Sequence, residues 1–147
     1  ISATGCEGPA EEVGRHLARM ALSMRDGGGP DCLISGGEPT VRLADAAVRG
    51  KGGRNQQLAL AALEFLAEDG ARDIGFLSGG TDGEDGPTDA AGAMIDERIA
   101  AKLAGADLAD ALRRNDAYPL LESADALLKT GPTHTNVCDL RVVTVSR

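Results

Sequence analysis

The stretch Ile74-Gly75-Phe76-Leu77-Ser78-Gly79-Gly80-Thr81-Asp82-Gly83-Glu84-Asp85-Gly86-Pro87-Thr88-Asp89 decides how this chain is read. Ile74 to Leu77 is a short apolar run and reads as a strand. The twelve residues after it hold four carboxylates, two threonines, a serine and four glycines. No hydrophobic core needs that composition. It belongs to a loop at a strand end, which either binds something or is an acid-rich solvent turn.

Working outward, the chain has 147 residues, enough for a single domain over 1–147 with one core. Its first residue is Ile1 rather than Met, which raises the expectation of a piece of something longer. Apolar residues make up 42% and charged residues 26%, a normal globular balance. Aromatics are only 2%, so Ala, Leu, Val and Ile must build the core, and a base-stacking platform is disfavoured. Net charge is −8, from 15 basic and 23 acidic residues, with no basic run, so nucleic acid is not an expected partner. No apolar run reaches the length of a membrane span and no signal peptide is visible, so no membrane partner is expected and the expected compartment is the cytoplasm. Cys6, Cys32 and Cys138 are widely spaced. Cys32 and Cys138 sit in apolar runs and are expected to be buried thiols in a reducing compartment.

Ser2 to Gly8 is a small-residue lead-in. Pro9, Glu11 and Glu12 then mark a helix start. Val13, Leu17, Met20, Ala21 and Met24 fall on one face of that helix, and Gly27-Gly28-Gly29-Pro30 ends it. His16 lies near the edge of that face and carries no expected chemistry. Cys32 to Ser35 reads as a strand, and Val41 to Leu43 as a second strand candidate. Ala44 to Arg49 is open between hairpin and loop. From about Arg54 to Glu68 runs a helix that is apolar nearly all round, hence largely buried. Thr88 to Ile95 is open between helix and strand. Asp96 and Asp107 read as N-caps of short helices, with Asn115 as a candidate cap for a third. Leu140 to Val145 is a β-branched final strand. Strands separated by helices read as an α/β fold: a layered sandwich with a mixed, mostly parallel sheet flanked by helices. In such sheets ligands sit beyond the strand ends, so the loops after Ser35, Leu77 and Leu128 should converge.

Those loops carry the chemistry. Gly52-Gly53-Arg54-Asn55 places two glycines at a helix start, where free N–H groups and a bidentate guanidinium suit an anion, and Lys51 adds a mobile charge. The plain alternative, a glycine turn beside a surface Arg, has about equal weight on this stretch alone. Glu38 follows Gly36-Gly37 at a strand end, where a carboxylate can orient an Arg, bind a metal or accept a hydroxyl proton. Asp82, Asp85 and Asp89 do not match a calcium loop, but carboxylates after a strand suit Mg²⁺ bridging phosphates. Asp85 and Thr88 also read simply as caps, and Glu84 as an exposed turn residue. Thr130 to Asn136 offers hydroxyls and an amide. Two histidines without cysteine partners argue against zinc.

At these motifs the chain resembles a known family. Ser35-Gly36-Gly37-Glu38-Pro39-Thr40-Val41, Gly52-Gly53-Arg54-Asn55-Gln56, Gly80 to Ala93, and Thr130-Gly131-Pro132-Thr133-His134-Thr135-Asn136-Val137 with Asp139-Leu140 are similar to the MOFRL domain. That is the C-terminal domain of type II glycerate 2-kinases, some of them labelled hydroxypyruvate reductases. The resemblance implies a two-domain enzyme that uses ATP and Mg²⁺ to phosphorylate glycerate to 2-phosphoglycerate in an interdomain cleft. The N-terminal domain, expected as the chief partner, is missing here, and a homodimer is a further expectation. Carried over, Glu38, Arg54 and Asp82 would be catalytic, with Asp82 also the metal ligand. Gly37, Lys51, Gly53, Asn55, Thr81, Thr88, Asp89, Thr133 and Asn136 would bind substrate or shape the cleft wall. Two departures stand out: a longer segment between Glu38 and Arg54, and His134 where glycine is expected. The alternatives are a hydroxypyruvate reductase domain, for which no G-x-G-x-x-G follows a strand, and a non-catalytic anion-binding module.

Overall fold

In the computed structural model, which describes residues 2–3 and 7–146, the strand that ends the chain lies in the middle of the sheet. The strands are β1 (Ser2–Ala3), β2 (Cys32–Gly37), β3 (Ile74–Gly80), β4 (Gly92–Ile95), β5 (Leu127–Leu128) and β6 (Asp139–Val145). Their order across the sheet is β1-β2-β6-β3-β4-β5. Every pairing from β2 to β5 is antiparallel, and only the two-residue β1 runs parallel to its neighbour.

The mostly parallel sheet expected from sequence is therefore incorrect. The strand–helix–strand unit behind that expectation does exist. β2 and β3 point the same way, since both oppose β6, but β6 is inserted between them. The register Ser35–Arg141–Ser78 runs straight across the three strands. Alternation within β6 tells which face is buried and nothing about which strands flank it.

The helices are α1 (Ala10–Gly27), α2 (Arg54–Leu66), α3 (Glu97–Lys102), α4 (Leu108–Arg113) and α5 (Ala117–Ser123). Helix α1 stops at Gly28, whose φ of 70° gives the left-handed C-cap that glycine takes without strain. Helix α2 is the centre of the core: Leu58 to Leu63 and Leu66 are all buried. It packs against α1 on one side and the sheet on the other, which is why it is apolar nearly all round. Gly14 of α1 lets the two helices close up, because a Cβ there would lie 2.2 Å from the Leu58 carbonyl oxygen. Asp96 and Asp107 cap α3 and α4 as expected, accepting the N–H of Ile99 and Asp110 at 2.8 and 2.9 Å.

Helices α1 and α2 cover one sheet face. On the opposite face Ile34, Val142, Leu77 and Met94 stand in one row across four strands. Ile34 and Met94 are exposed, and Val142 and Leu77 half-buried. The sheet is thus not flanked by helices on both sides among the described residues.

Other local expectations are corrected too. Val41 to Leu43 is not a strand. Both edges of β2 are already paired, by β1 and β6, so no edge remains for a hairpin. This longer segment is instead fastened by Asn115, whose amide oxygen accepts the Ala44 N–H at 2.7 Å and whose nitrogen donates to the Arg42 carbonyl. Asn115 therefore does not cap α5; Asp116 precedes that helix. The open choice at Thr88 to Ile95 resolves as loop followed by β4. Cys32 and Cys138 are exposed, not buried: Cys32 begins β2 on the uncovered face and Cys138 lies in the loop before β6. Cys6 and most of the lead-in lie outside the described residues.

Candidate functional site

The antiparallel insertion of β6 builds the site. Because β6 opposes its neighbours, its first residue meets their last ones, in the register Gly37–Asp139–Gly80. Helix α2 begins beside this edge. A cleft of about 800 Å³ opens there, lined among others by Glu38, Gly53, Arg54, Asp82, Asp85 and Asn115.

Arg54 is the centre of the cleft. Its Nε and Nη2 donate to the two carboxylate oxygens of Asp139 at 2.8 and 2.9 Å, a bidentate pair. Its Nη1 donates to Glu38 at 2.9 Å. The two partners differ sharply: the Asp139 side chain is 1% exposed and that of Glu38 is 61% exposed. Hydrogen bonding to Asp139, then to Glu38, raises the Arg54 pKa further above its ordinary value. Asp139, the buried partner of Arg54, is the site residue that sequence reasoning missed. The signal was present in its place at the end of the Thr130–Asp139 motif, but only the strand order gives it meaning.

The acidic loop is sewn to the loop before β6. The Thr81 hydroxyl donates to the Cys138 carbonyl at 2.7 Å and accepts the Val137 N–H at 2.8 Å. The Thr133 N–H donates to the Asp82 carbonyl at 2.9 Å, and the Thr133 hydroxyl to the Thr81 carbonyl. The Asp82 carboxylate accepts the Glu84 N–H at 3.1 Å and the Asn136 amide at 3.2 Å. Thr81, Thr133 and Asn136 thus form the seam that holds Asp82 against the cleft. His134 sits in this loop with φ 59°, a left-handed conformation that explains why glycine suits the position.

Asp85, read from sequence as a local cap, caps a helix some thirty residues earlier in the chain. Its oxygens accept the backbone N–H groups of Asn55 and Gln56 at 3.0 and 2.9 Å. The helix start expected to present free N–H groups to an external anion is therefore already served by an internal carboxylate. Burial pushes the Asp85 pKa up to about 6, against the opposing pull of those amide donors.

The remaining expected site residues lie elsewhere. Gly37 sits opposite Asp139 at the sheet edge. Asn55 is buried and accepts the Ser78 hydroxyl at 2.7 Å. Thr88 accepts the Gln56 amide at 2.9 Å and donates to the Asp85 carbonyl. The Lys51 ammonium stands 3.7 Å from the centre of the Tyr118 ring. Asp89 accepts from the Tyr118 hydroxyl at 2.7 Å and from Lys129 at 2.9 Å, which hold its pKa down at about 2. The cleft lining brings together Glu38, Gly53, Arg54 and Asp82, plus Glu84, which sequence reading had set aside. Among the described residues no three metal-ligating side chains converge.

A fold of this kind, with one guanidinium among carboxylates at a shared sheet edge, defines an α/β domain with an acidic cleft at that edge. Residues 31–139 match the MOFRL family model, and the chain belongs to the MOFRL family. Human glycerate kinase is 46% identical over 135 residues, covering 87% of this chain and 25% of the relative. An Agrobacterium vitis protein provisionally named hydroxypyruvate reductase is 43% identical over 145 residues, covering 95% of this chain and 37% of its own. The crystal structure of Thermotoga maritima glycerate kinase superposes with a TM-score of 0.89 at 39% identity, covering 99% of this chain and 35% of that one. The chain thus spans between a quarter and two-fifths of the length of these proteins.

Proposed function

We propose that this domain is the C-terminal, substrate-side part of a glycerate 2-kinase, which transfers the γ-phosphoryl of ATP to glycerate. The observation that carries this reading is the asymmetry at Arg54. Asp139 is a permanent buried partner. Glu38 is an exposed one, on the guanidinium edge that faces the cleft. A substrate carboxylate can replace Glu38 there without disturbing the pair beneath.

In this reading Arg54 binds the glycerate carboxylate and Glu38 withdraws to solvent or to a substrate hydroxyl. Asp82 accepts the proton released as the glycerate oxygen forms its bond to phosphorus. Phosphoryl transfer asks mainly for positioning and charge neutralisation. Arg54 is the only basic side chain lining the cleft among the described residues, against Glu38, Asp82, Glu84 and Asp85. The triphosphate must therefore be met by cations from elsewhere, which in this reading come from a second wall in the enzyme's N-terminal domain. Mg²⁺ commonly takes only one or two protein carboxylates beside phosphate oxygens. Asp82 fits that role, since one of its oxygens accepts the Glu84 N–H, the other accepts the Asn136 amide, and each retains a lone pair. A cytoplasmic enzyme is the setting that goes with this reading; among the described residues no helix is long and apolar enough to cross a membrane.

The test is Arg54→Ala in the full-length protein. Loss of the charged contact should lower kcat/KM for glycerate about 100-fold or more, with KM carrying most of it. Unchanged phosphorylation would sink the assignment and leave the non-catalytic module. NAD(P)H oxidation with hydroxypyruvate by the same preparation would favour the reductase instead.

A further inference from the structure

We propose that Asp85 is a positioning residue for Arg54: a carboxylate supplied by the acidic loop that occupies the start of α2 and so fixes the residue that opens that helix.

Three observations carry this. First, the N-cap position of α2 is Gly53, which has no side chain to serve the free N–H groups of the first turn. Asp85 takes over, bonding the second and third helical N–H groups as an N-cap side chain would. Second, the fit is tight. A Cβ on Gly53 would lie 2.3 Å from the Asp85 Cγ, so glycine is what admits the carboxylate. Third, Asp85 is 3% exposed and knitted into its surroundings. The Asn55 amide donates to it at 3.3 Å, and the Gln56 amide reaches the Thr88 hydroxyl beside it. Arg54 is the first residue of α2 and lies between this cap and the Asp139 pair. Its backbone is set by one carboxylate and its guanidinium by the other. A bidentate fork loses its geometry if its Cα shifts by an ångström. The helix dipole end is also neutralised internally, so the substrate anion is left to the Arg54 side chain.

The proposal rests on Arg54 as the anion-binding residue, and its test separates the two ideas. Asp85→Asn keeps the shape but turns an amide N–H₂ toward at least one backbone donor. In the full-length protein two readouts are taken. The ¹⁵Nε resonance of Arg54 reports its geometry without any substrate. It should shift or broaden in Asp85→Asn, and an unchanged signal overturns the proposal whatever the activity does. Kinetics form the second readout. Asp85→Asn should raise KM for glycerate about tenfold. In an Arg54→Ala background the same change should do almost nothing, because the residue it positions is gone. Fully additive losses would show a merely structural role and overturn the proposal. If Arg54→Ala leaves glycerate phosphorylation intact, the functional reading fails, and the resonance alone then decides for or against Asp85.

Discussion

Arg54 and Asp85 show how one residue's meaning depends on partners far along the chain. Arg54 is paired with Asp139, 85 positions on, and Asp85 with amides some thirty positions back. Both carboxylates are buried, yet they sit differently. Asp139 faces a guanidinium, whereas Asp85 has only neutral donors and feels the negative charge of Asp139. Its pKa rises from 3.8 to about 6, chiefly through burial. A folded value above the unfolded one means the native state binds the extra proton. The stability contributed by protonation is full below about pH 3.8 and lost as pH rises through about 6. The magnitude is on the order of 3 kcal/mol. Asp85→Asn cannot titrate, so the stability of wild type relative to this variant should fall between about pH 4 and pH 6.5 in urea melts and level off above that. A difference that stays flat across that window would show that the amide donors outweigh burial.

At the scale of elements, the α1–α2 contact and the β6 insertion do the organising. The first is set by composition: small residues let the helices approach, and Gly14 leaves no room for a Cβ against Leu58. Gly14→Ala would drive a methyl into the Leu58 carbonyl, which is backbone and cannot rotate away. We expect a loss of about 1–3 kcal/mol in chemical denaturation, with α1 displaced rather than unfolded. A stability within error of wild type would mean the helices have slack at the crossing. The second, the central place of β6, brings three segments to one edge. Two of them, after β2 and β3, were legible as strand-end loops. The third, the start of β6, follows the loop after Leu128 that sequence also expected there, but only the strand order sets Asp139 opposite Gly37 and Gly80.

At the scale of the whole molecule, two features point outward. The cleft has an acidic lining with a single guanidinium among the described residues. The sheet has one face covered by helices, while the other shows a row of apolar side chains. If the cleft is half of a split site, the 147-residue chain by itself should give no measurable 2-phosphoglycerate from ATP and glycerate. A coupled assay on the isolated chain checks this, and robust turnover would overturn the split-site reading.

Local patterns determined much of this protein on their own. The long helices, the caps at Asp96 and Asp107, the glycine stop at Gly28 and the loop positions of Glu38, Arg54 and Asp82 were all readable, because helix periodicity, capping and turn chemistry act over a few residues. Strand order, the exposure of Cys32 and Cys138, the role of Asp139 and the reach of Asp85 to α2 were decided only in three dimensions. Pairing between strands is a contest among partners distant in sequence, and the winner is chosen by which arrangement buries α2 and closes the edges of β2. That choice put the start of β6 against Arg54 and turned the acidic loop from an anomaly of composition into the cap and wall of a cleft.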